Sequence, residues 1–217
     1  MDYSSITLDS LLDLRNGSFS VSKRPIIITF DDGYKDCVEH AVPILSKYNL
    51  SATFFLVVGS IGSTSSWTST HGLNIPIMDW KDVHHLKSSD FQIGSHTMSH
   101  PKLVELSLDN CHKEVYNSRI SLEDHLGCEI RHFCYPFGFQ NESVRKIVVE
   151  SGYSTACSAR IGLSDLYDDA FTLRRIEITG YGSLFDFICK LKFGRTLKDY
   201  MRRKVWEIKR YAPFQTL

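Results

Sequence analysis

Short apolar runs of four to seven residues recur along the chain, separated by longer stretches in which hydrophobic positions follow a helical period. The runs are rich in Ile, Val, Phe and Thr, the side chains that favour buried strands. We therefore predict six strands, at residues 25–30, 52–58, 91–94, 132–135, 153–157 and 171–176.

Four helices are predicted between these strands, at residues 36–48, 80–87, 108–126 and 142–151. Asp79 is a suitable N-cap for the second helix, and Gly127 and Gly152 are suited to end the third and fourth. Pro43 either kinks the first helix or restarts it. The alternation of strand and helix predicts parallel strands with helices packed outside them, in a barrel or an open sheet.

The size and charge of the chain limit the kinds of protein that it can be. Its 217 residues, 42% of them hydrophobic, are enough for one domain with a full core. The 25 basic and 25 acidic residues cancel, so no overall field attracts nucleic acid, and we expect no nucleic-acid partner. The six cysteines form no Cys-x-x-Cys pair and are expected to be reduced. The sequence has no secretory signal and no apolar run of membrane-spanning length, which predicts a cytoplasmic protein.

The composition changes towards the end of the chain. Residues 190–210 carry nine Lys or Arg against two acidic residues, with large apolar side chains between them. We expect residues 1–182 to form the main domain and residues 183–217 a basic, amphipathic helical extension of it. That extension either docks on the core or contacts an anionic membrane, which would make the protein membrane-peripheral.

Two polar segments follow predicted strands. Asp31 and Asp32 come after an apolar strand, and His96 and His100 follow the third strand. An Asp-Gly turn is common, and histidines four apart can simply face solvent. Together, however, two imidazoles and one carboxylate form the ligand set of a catalytic zinc site, which keeps a position open for water. The second carboxylate is then free to take a proton from that water.

Two further segments could complete such a site. Tyr135, Pro136 and Phe137 end a strand and enter a turn, which is either only a turn or a rigid backbone N–H offered to a developing oxyanion. Residues 59–70 form a long Ser-, Thr- and Gly-rich loop around Trp67, and it is either a surface excursion or a functional loop. An indole there is suited to stacking on the face of a sugar.

The motifs resemble those of the polysaccharide deacetylases, carbohydrate esterase family 4. They are Thr-Phe-Asp-Asp-Gly at residues 29–33, His-Thr-Met-Ser-His-Pro at 96–101 and Tyr-Pro-Phe-Gly at 135–138, in that order. The third motif is similar to that of the branch with poly-N-acetylglucosamine deacetylase-like proteins. The resemblance covers roughly residues 20–180. It implies a distorted, incomplete (β/α) barrel and hydrolysis of N-acetyl groups on an amino-sugar glycan or a lipid-linked glycan precursor.

The resemblance also implies roles for individual residues. Asp31 corresponds to the catalytic base, and the metal ligands correspond to Asp32, His96 and His100. The ion is one divalent metal, Zn²⁺ first, with Co²⁺ or Ni²⁺ as alternatives. The backbone N–H of Phe137 corresponds to an oxyanion contact. We expect Tyr135, Pro136 and Trp67 to contact substrate.

Two departures from the family pattern concern the catalytic residues. Cys134 stands where many members have an Arg that orients the catalytic Asp. All nine histidines lie at or before His132, so the late histidine that often protonates the leaving amine is missing. Three residues could replace this histidine. Arg175 could polarise the site, Glu177 could donate a proton to the leaving amine, or Asp31 could act as both the base and the acid. Two alternatives therefore stay open: a hydrolase of another small amide or cyclic ureide, and a non-catalytic glycan-binding relative.

Overall fold

The computed structural model describes residues 3–68 and 74–196 of the chain. Its strands are β1 (Tyr3–Ser5), β2 (Arg24–Ile26), β3 (Thr29–Phe30), β4 (Thr53–Leu56), β5 (Gln92–Ser95), β6 (His132–Cys134), β7 (Thr155–Ile161) and β8 (Leu173–Arg175). Its helices are α1 (Leu8–Asn16), α2 (Val42–Lys47), α3 (Trp80–Ser88), α4 (Leu108–Leu126), α5 (Glu142–Glu150) and α6 (Leu184–Phe193).

Strands β3 to β8 form one sheet in the order of the chain. The pairs from β3/β4 to β6/β7 are all parallel, and helices α2 to α5 connect or follow these strands. Short parallel strands joined by crossover helices close progressively around an axis when each new strand is added on the same side. The predicted fold, a distorted and incomplete (β/α) barrel, is confirmed.

The strand predicted at residues 25–30 is two strands. Its first part, β2, pairs with β1 at the N-terminus, whereas its second part, β3, pairs with β4. Two residues, Ile27 and Ile28, separate them and pack into different hydrophobic clusters. The periodicity reveals one apolar run, but the change of pairing partner depends on β1, for which the sequence has no signal.

The first predicted helix is interrupted near its middle. A π-helical turn, Cys37–Ala41, runs directly into α2, in which Pro43 occupies the first turn. Proline lacks an N–H and is tolerated where helical N–H groups have no partner, so the helix restarts there. The other three predicted helices are confirmed. Asp79 caps α3 in a capping box, and Gly127 ends α4 in the left-handed conformation.

Helix α1 was not predicted. The Thr7 side chain accepts a hydrogen bond from the Ser10 N–H at its start, and Gly17 ends it in the left-handed conformation. Only Leu8 and Leu11 are buried, because the helix meets the sheet with a narrow stripe. Two apolar positions do not make a recognisable period.

Successive residues of the central strands face opposite sides of the sheet. Phe54, Phe133 and Ala156 belong to the large cluster between the sheet and helices α2 to α5. Their immediate neighbours belong to a smaller cluster, which α1 covers; its members are Leu8, Leu11, Phe55, Cys134, Cys157 and Leu173. The period-2 alternation of a strand thus places the Cys134 side chain on the inner face, between the sheet and α1.

A polar cluster ties α1 to the N-terminal ends of the strands. The Gln92 side chain accepts hydrogen bonds from the Leu8 N–H (2.9 Å) and the Thr53 hydroxyl (2.8 Å), and it donates to Asp9 (2.7 Å). Asp9 also lies 3.2 Å from Nε2 of His132, which is 1% exposed. Buried polar groups are costly unless they are hydrogen-bonded, so this network fixes the position of α1 on the sheet.

The chain divides into two compact units. The first comprises residues 1–159 and 166–173, and contains both clusters described above. The second comprises residues 160–165 and 174–217, and its described part includes α6 with a Ser183 capping box. Residues 197–217, most of the predicted basic extension, lie outside the described residues. In the described part of the chain, no helix is both long and apolar enough to cross a membrane.

We expect Asp9→Asn to destabilise the protein. The hydrogen bond with His132 and the charge of Arg131 lower the pKa of Asp9 below its ordinary value of 3.8. A lowered carboxyl pKa contributes stability above the unfolded-state pKa, and this contribution is lost as the pH falls through the folded-state value. Because Asp9 is half-exposed, the expected loss in free energy of unfolding at pH 7 is only about 1 kcal/mol.

Urea denaturation of wild type and variant between pH 3 and pH 7 measures this difference. It should be largest above about pH 5 and shrink as the pH falls below about 4. Asp13→Asn, on the exposed side of the same helix, is the control and should change little. A difference that is independent of pH would contradict the role of the Asp9 charge.

Candidate metal centre

Asp31 and Asp32 follow β3 directly, and their carboxylates have different partners. Asp32 and Gly33 both have left-handed backbones, with φ of 72° and 77°. This turn is closed by a hydrogen bond from the Gly33 N–H to the Asp31 carbonyl (2.9 Å). Adjacent carboxylates on such a turn are separated by backbone geometry, so each is available for a different task.

His96 and His100 follow β5 on a loop, not on a helical turn. Thr97 and His100 have left-handed φ values of 72° and 59°, and the His100 N–H donates to the Thr97 hydroxyl (3.0 Å). The Glu114 carboxylate of α4 accepts hydrogen bonds from the N–H groups of Met98 and Ser99, both at 2.9 Å. The loop therefore has a fixed shape that turns both imidazoles inward, where they are 2% and 6% exposed.

The two histidines and Asp32 converge on one point. The Nε2 atoms of His96 and His100 each lie 3.3 Å from the same oxygen, Oδ1 of Asp32. One ligand atom from each of the three residues lies within 4.8 Å of the other two. Two nitrogens and one oxygen form the ligand set of a catalytic zinc site.

The hydrogen bond of His96 supports a cation at this point. Its Nδ1 lies 2.7 Å from the backbone carbonyl of Cys134, which can only accept, so Nδ1 carries the hydrogen. In the neutral ring Nε2 then presents a lone pair to the Asp32 oxygen, and two lone pairs at 3.3 Å repel unless a cation lies between them. The three residues fit a divalent metal ion.

The charge of Asp32 is consistent with this fit. Burial raises the pKa of its carboxyl, whereas hydrogen bonds from the His100 imidazole and the Tyr34 hydroxyl lower it. The net pKa lies far below the ordinary value, so Asp32 is ionised at any pH near neutrality.

Asp31 is held by a different partner. The Cys134 thiol donates to Oδ2 of Asp31 over 3.4 Å, from a fully buried position on β6. Asp31, His96 and Cys134 form a second group whose ligand atoms lie within 4.8 Å of one another. Asp31 is thus close to the ligand cluster without being part of the two-histidine set, as expected for a base beside the ligands.

Phe137 lies at the tip of the turn that follows β6. Its backbone is left-handed, with φ of 55° and ψ of 5°, which is strained for a residue with a side chain. The next position requires glycine, since a Cβ on Gly138 would lie 2.0 Å from that of Ala159. The ring of Phe137 lies 4.6 Å from that of His100. The turn therefore places Phe137 beside the candidate ligand cluster.

Tyr135 and Pro136 do not reach a surface from which they could contact substrate. Tyr135 is 1% exposed and its hydroxyl donates to the Phe171 carbonyl (3.1 Å). Pro136 is also buried. The expected substrate contact is corrected here: these two side chains anchor the turn in the core, and Phe137 is the exposed residue, 46% accessible.

The two remaining expected site residues have different positions. Trp67 reaches the cluster, with its indole N–H donating to Oδ2 of Asp32 (3.2 Å). Arg175 ends β8, and its carbonyl accepts a hydrogen bond from the Gly162 N–H (3.2 Å) within the second unit. The role of Arg175 stays a prediction.

Comparison with known proteins decides the family. The family profile described as polysaccharide deacetylase matches residues 20–156, well over half of the chain. The chain belongs to the polysaccharide deacetylase family. The family match covers Asp31, Asp32, His96, His100 and the turn at Phe137, which are the residues that converge in the structure.

Known members and structures agree with this assignment. The poly-beta-1,6-N-acetyl-D-glucosamine N-deacetylase of Staphylococcus epidermidis is 27% identical over 139 residues, which cover 60% of this chain and 46% of that protein. The fold is similar to that of Streptococcus pyogenes deacetylase PplD in complex with acetate, with a TM-score of 0.72, 23% identity and coverage of 83% and 76%. It is also similar to that of IcaB from Ammonifex degensii, with a TM-score of 0.67, 18% identity and coverage of 82% and 92%. The chain spans about half the length of the curated relatives it matches.

Two supporting residues of this deacetylase-family site, Glu114 and Tyr34, were missed by the sequence analysis, which named Cys134 only as a departure from the family pattern. Glu114 shapes the histidine loop, Tyr34 contacts Asp32, and the Cys134 thiol contacts Asp31. Tyr34 directly follows the first motif and Cys134 directly precedes the third, so adjacency was a usable signal. Glu114 lies on a helix 14 residues after His100, and nothing in its local sequence marks it.

We expect the purified protein to bind about one divalent ion per chain and His100→Ala to lose it, because removing one of three ligands leaves the other two insufficient. Elemental analysis after metal reconstitution measures both. His84→Ala, on the exposed face of α3, is the matched control and should keep the ion. Full occupancy in the His100 variant would exclude the two-histidine set as the site.

Proposed function

We propose that this chain is a metal-dependent deacetylase that hydrolyses N-acetyl groups of an amino-sugar glycan. One observation carries the proposal: His96, His100 and Asp32 converge through three ligand atoms while Asp31 lies beside them on its own hydrogen bond. A binding protein has no use for a second carboxylate kept out of the ligand set. The family and the N-acetylglucosamine polymer named for its relatives support the substrate class.

Asp32, His96 and His100 would hold one divalent ion, most simply Zn²⁺, with Co²⁺ or Ni²⁺ as alternatives. Such an ion, when bound, polarises an acyl oxygen and lowers the pKa of an adjacent water. The ionised Asp32 offsets part of the charge of the ion, and the buried imidazoles exclude bulk water around it.

The remaining residues move the proton and hold the developing charge. Asp31 takes the proton of the attacking water, and the Cys134 thiol orients the carboxylate that does so. The Phe137 N–H donates to the oxygen that becomes negative as the acetamide carbon turns tetrahedral. When the carbon–nitrogen bond breaks, the proton held by Asp31 passes to the leaving amine, and acetate and a free amino sugar result. Asp31 thus acts as both the general base and the general acid in this chain, in which no histidine follows His132.

We expect Asp31→Asn to lower the rate of acetate release by 10²- to 10⁴-fold, the usual contribution of a general base. Metal content should be unchanged, because Asp31 is outside the two-histidine set. Released acetate is measured with β-1,4- and β-1,6-linked N-acetylglucosamine oligomers, and a cyclic ureide is included in the substrate panel. Asp109→Asn, an exposed change on α4, is the control.

The outcomes of this assay are distinct. An Asp31 variant that is as active as wild type excludes Asp31 as the base. If the wild type cleaves only the ureide, the proposed mechanism is retained and the glycan is excluded as the substrate. A wild type that binds metal and glycan without releasing acetate is a glycan-binding relative.

We also propose that the C-terminal region contacts an anionic membrane, as a protein acting on a lipid-linked glycan precursor at the cytoplasmic face would. On α6, Leu184, Phe185 and Phe193 are 74%, 63% and 65% exposed. Leu184, Phe187 and Leu191 share one helix face, away from the buried Cys189. Large exposed apolar side chains next to a strongly basic segment fit the interface of an anionic bilayer, which offers both hydrocarbon and negative charge.

We expect replacement of the six Lys and Arg residues at 198–210 by Gln to weaken binding to phosphatidylglycerol-containing vesicles at least tenfold. Each basic residue near such a surface contributes about 1 kcal/mol at most. Vesicle co-sedimentation measures this, and phosphatidylcholine vesicles serve as the neutral control. A protein with Gln in place of Lys81, Lys102, Lys113 and Lys146, which lie on the first unit, should bind as wild type does. Unchanged binding of the C-terminal variant would eliminate the membrane contact.

A further inference from the structure

The Trp67 indole holds the oxygen of Asp32 that faces away from the histidines, and the Tyr34 hydroxyl hydrogen-bonds the same carboxylate. The Trp67 indole N–H lies 3.2 Å from Oδ2 of Asp32 and 3.3 Å from the Tyr34 hydroxyl, which also hydrogen-bonds Asp32. The other oxygen, Oδ1, is the one that both histidines approach. With Oδ2 held in this way, the carboxylate cannot rotate, and Oδ1 is kept in the position of a ligand.

Trp67 also contacts a second member of the ligand set. Its ring lies 4.6 Å from that of His100 at an angle of 31°. His100 differs from His96 because its Nδ1 is buried and finds no hydrogen-bond partner in the described part of the chain. Its ring is therefore oriented by packing between Trp67 and Phe137 in place of the hydrogen bond that fixes His96.

The segment that carries Trp67 is itself anchored. The Gly59 N–H donates to the Met98 carbonyl (2.8 Å) on the histidine loop, and the Ser65 N–H donates to the Ile75 carbonyl (2.9 Å). The Ser65 side chain is fully buried, and its hydroxyl accepts from the Ile75 N–H (3.2 Å). These hydrogen bonds fix the position of the segment that carries Trp67, as a supporting residue of a metal site requires.

We propose that Trp67 is a positioning residue of the metal centre, in which its N–H, together with Tyr34, fixes Asp32 and its ring orients His100. The sequence analysis expected this indole to stack on a sugar. The inference rests on the proposed function only because it requires the metal site. In it, Trp67 supports the metal ligands and does not bind the substrate. The affinity for metal then depends on the loop at residues 59–68.

Metal affinity tests this assignment directly. Zn²⁺ and Co²⁺ are titrated into metal-free wild type and into Trp67→Phe, Trp67→Ala and Tyr34→Phe. Loss of a supporting residue around metal ligands typically costs 10- to 100-fold in affinity. We expect Trp67→Phe, which keeps a ring but has no N–H, to lose about tenfold and Trp67→Ala to lose more. Trp80→Phe, whose indole stacks on His125 on another surface, is the matched control and should bind as wild type does.

Two spectroscopic readouts separate positioning from general damage. The visible bands of the Co²⁺ form report coordination geometry, and we expect Trp67→Phe and Tyr34→Phe to shift them, with Trp80→Phe leaving them unchanged. Co²⁺ should also quench indole fluorescence in the wild type, and most of this quenching should be absent from Trp67→Phe, because Trp67 is the indole next to the ligands. Thermal denaturation of each variant verifies that it is folded.

The possible outcomes differ for the two proposals. Trp67 variants that bind metal with wild-type affinity and unshifted Co²⁺ bands, but bind glycan weakly, would overturn the inference and make Trp67 a substrate-stacking residue. Metal binding by the wild type without acetate release would contradict the proposed activity while leaving the inference testable by titration. A wild type that binds neither ion would overturn both.

Discussion

The structure around the candidate site depends on one electrostatic constraint. Two imidazole nitrogens, from His96 and His100, each lie 3.3 Å from the same carboxylate oxygen of Asp32. Such an arrangement is unfavourable without a shared cation, so the chain must enforce it. It does so with a carbonyl on His96, a carboxylate beneath the histidine loop, and an indole and a phenol on Asp32. Each of these groups belongs to a different segment, which is why the whole upper edge of the sheet is involved in a site with three ligands.

Side chains alternate between the two faces of the sheet, which explains how β6 contributes to both the core and the candidate site. Phe133 faces the helices, Cys134 faces inward, and the carbonyl of Cys134 reaches His96 while its thiol reaches Asp31. One residue thereby contacts a metal ligand and the neighbouring carboxylate through two different groups. An arginine, the residue expected at this place from the family pattern, has a much longer side chain and would approach Asp31 from farther away. The short thiol requires the close packing that Phe55 and Cys157 supply on the same face.

Much of the fold and the central residues of the site could be predicted from the sequence, for identifiable reasons. The strands, three of the helices and the polar segments at the strand ends have local signals: apolar runs, caps and turn residues. The convergence of Asp32, His96 and His100 follows because parallel strands end at the same edge. The split of the 25–30 run, helix α1, and the support from Glu114 and Trp67 depend on contacts between distant segments, such as Gly59 with Met98. The burial of Tyr135 depends on its packing with distant residues of the large cluster, which a short aromatic motif does not reveal.

Among the described residues, six non-glycine residues have left-handed backbones, and four of them surround this site: Asp32, Thr97, His100 and Phe137. Each such conformation costs about 1 kcal/mol or more, which a glycine at the same position would largely avoid. The chain keeps the side chains and accepts that cost, so its most stable sequence and its working sequence are different. Selection for thermal stability alone would replace these positions first, and would yield a well-folded barrel without the candidate ligand cluster.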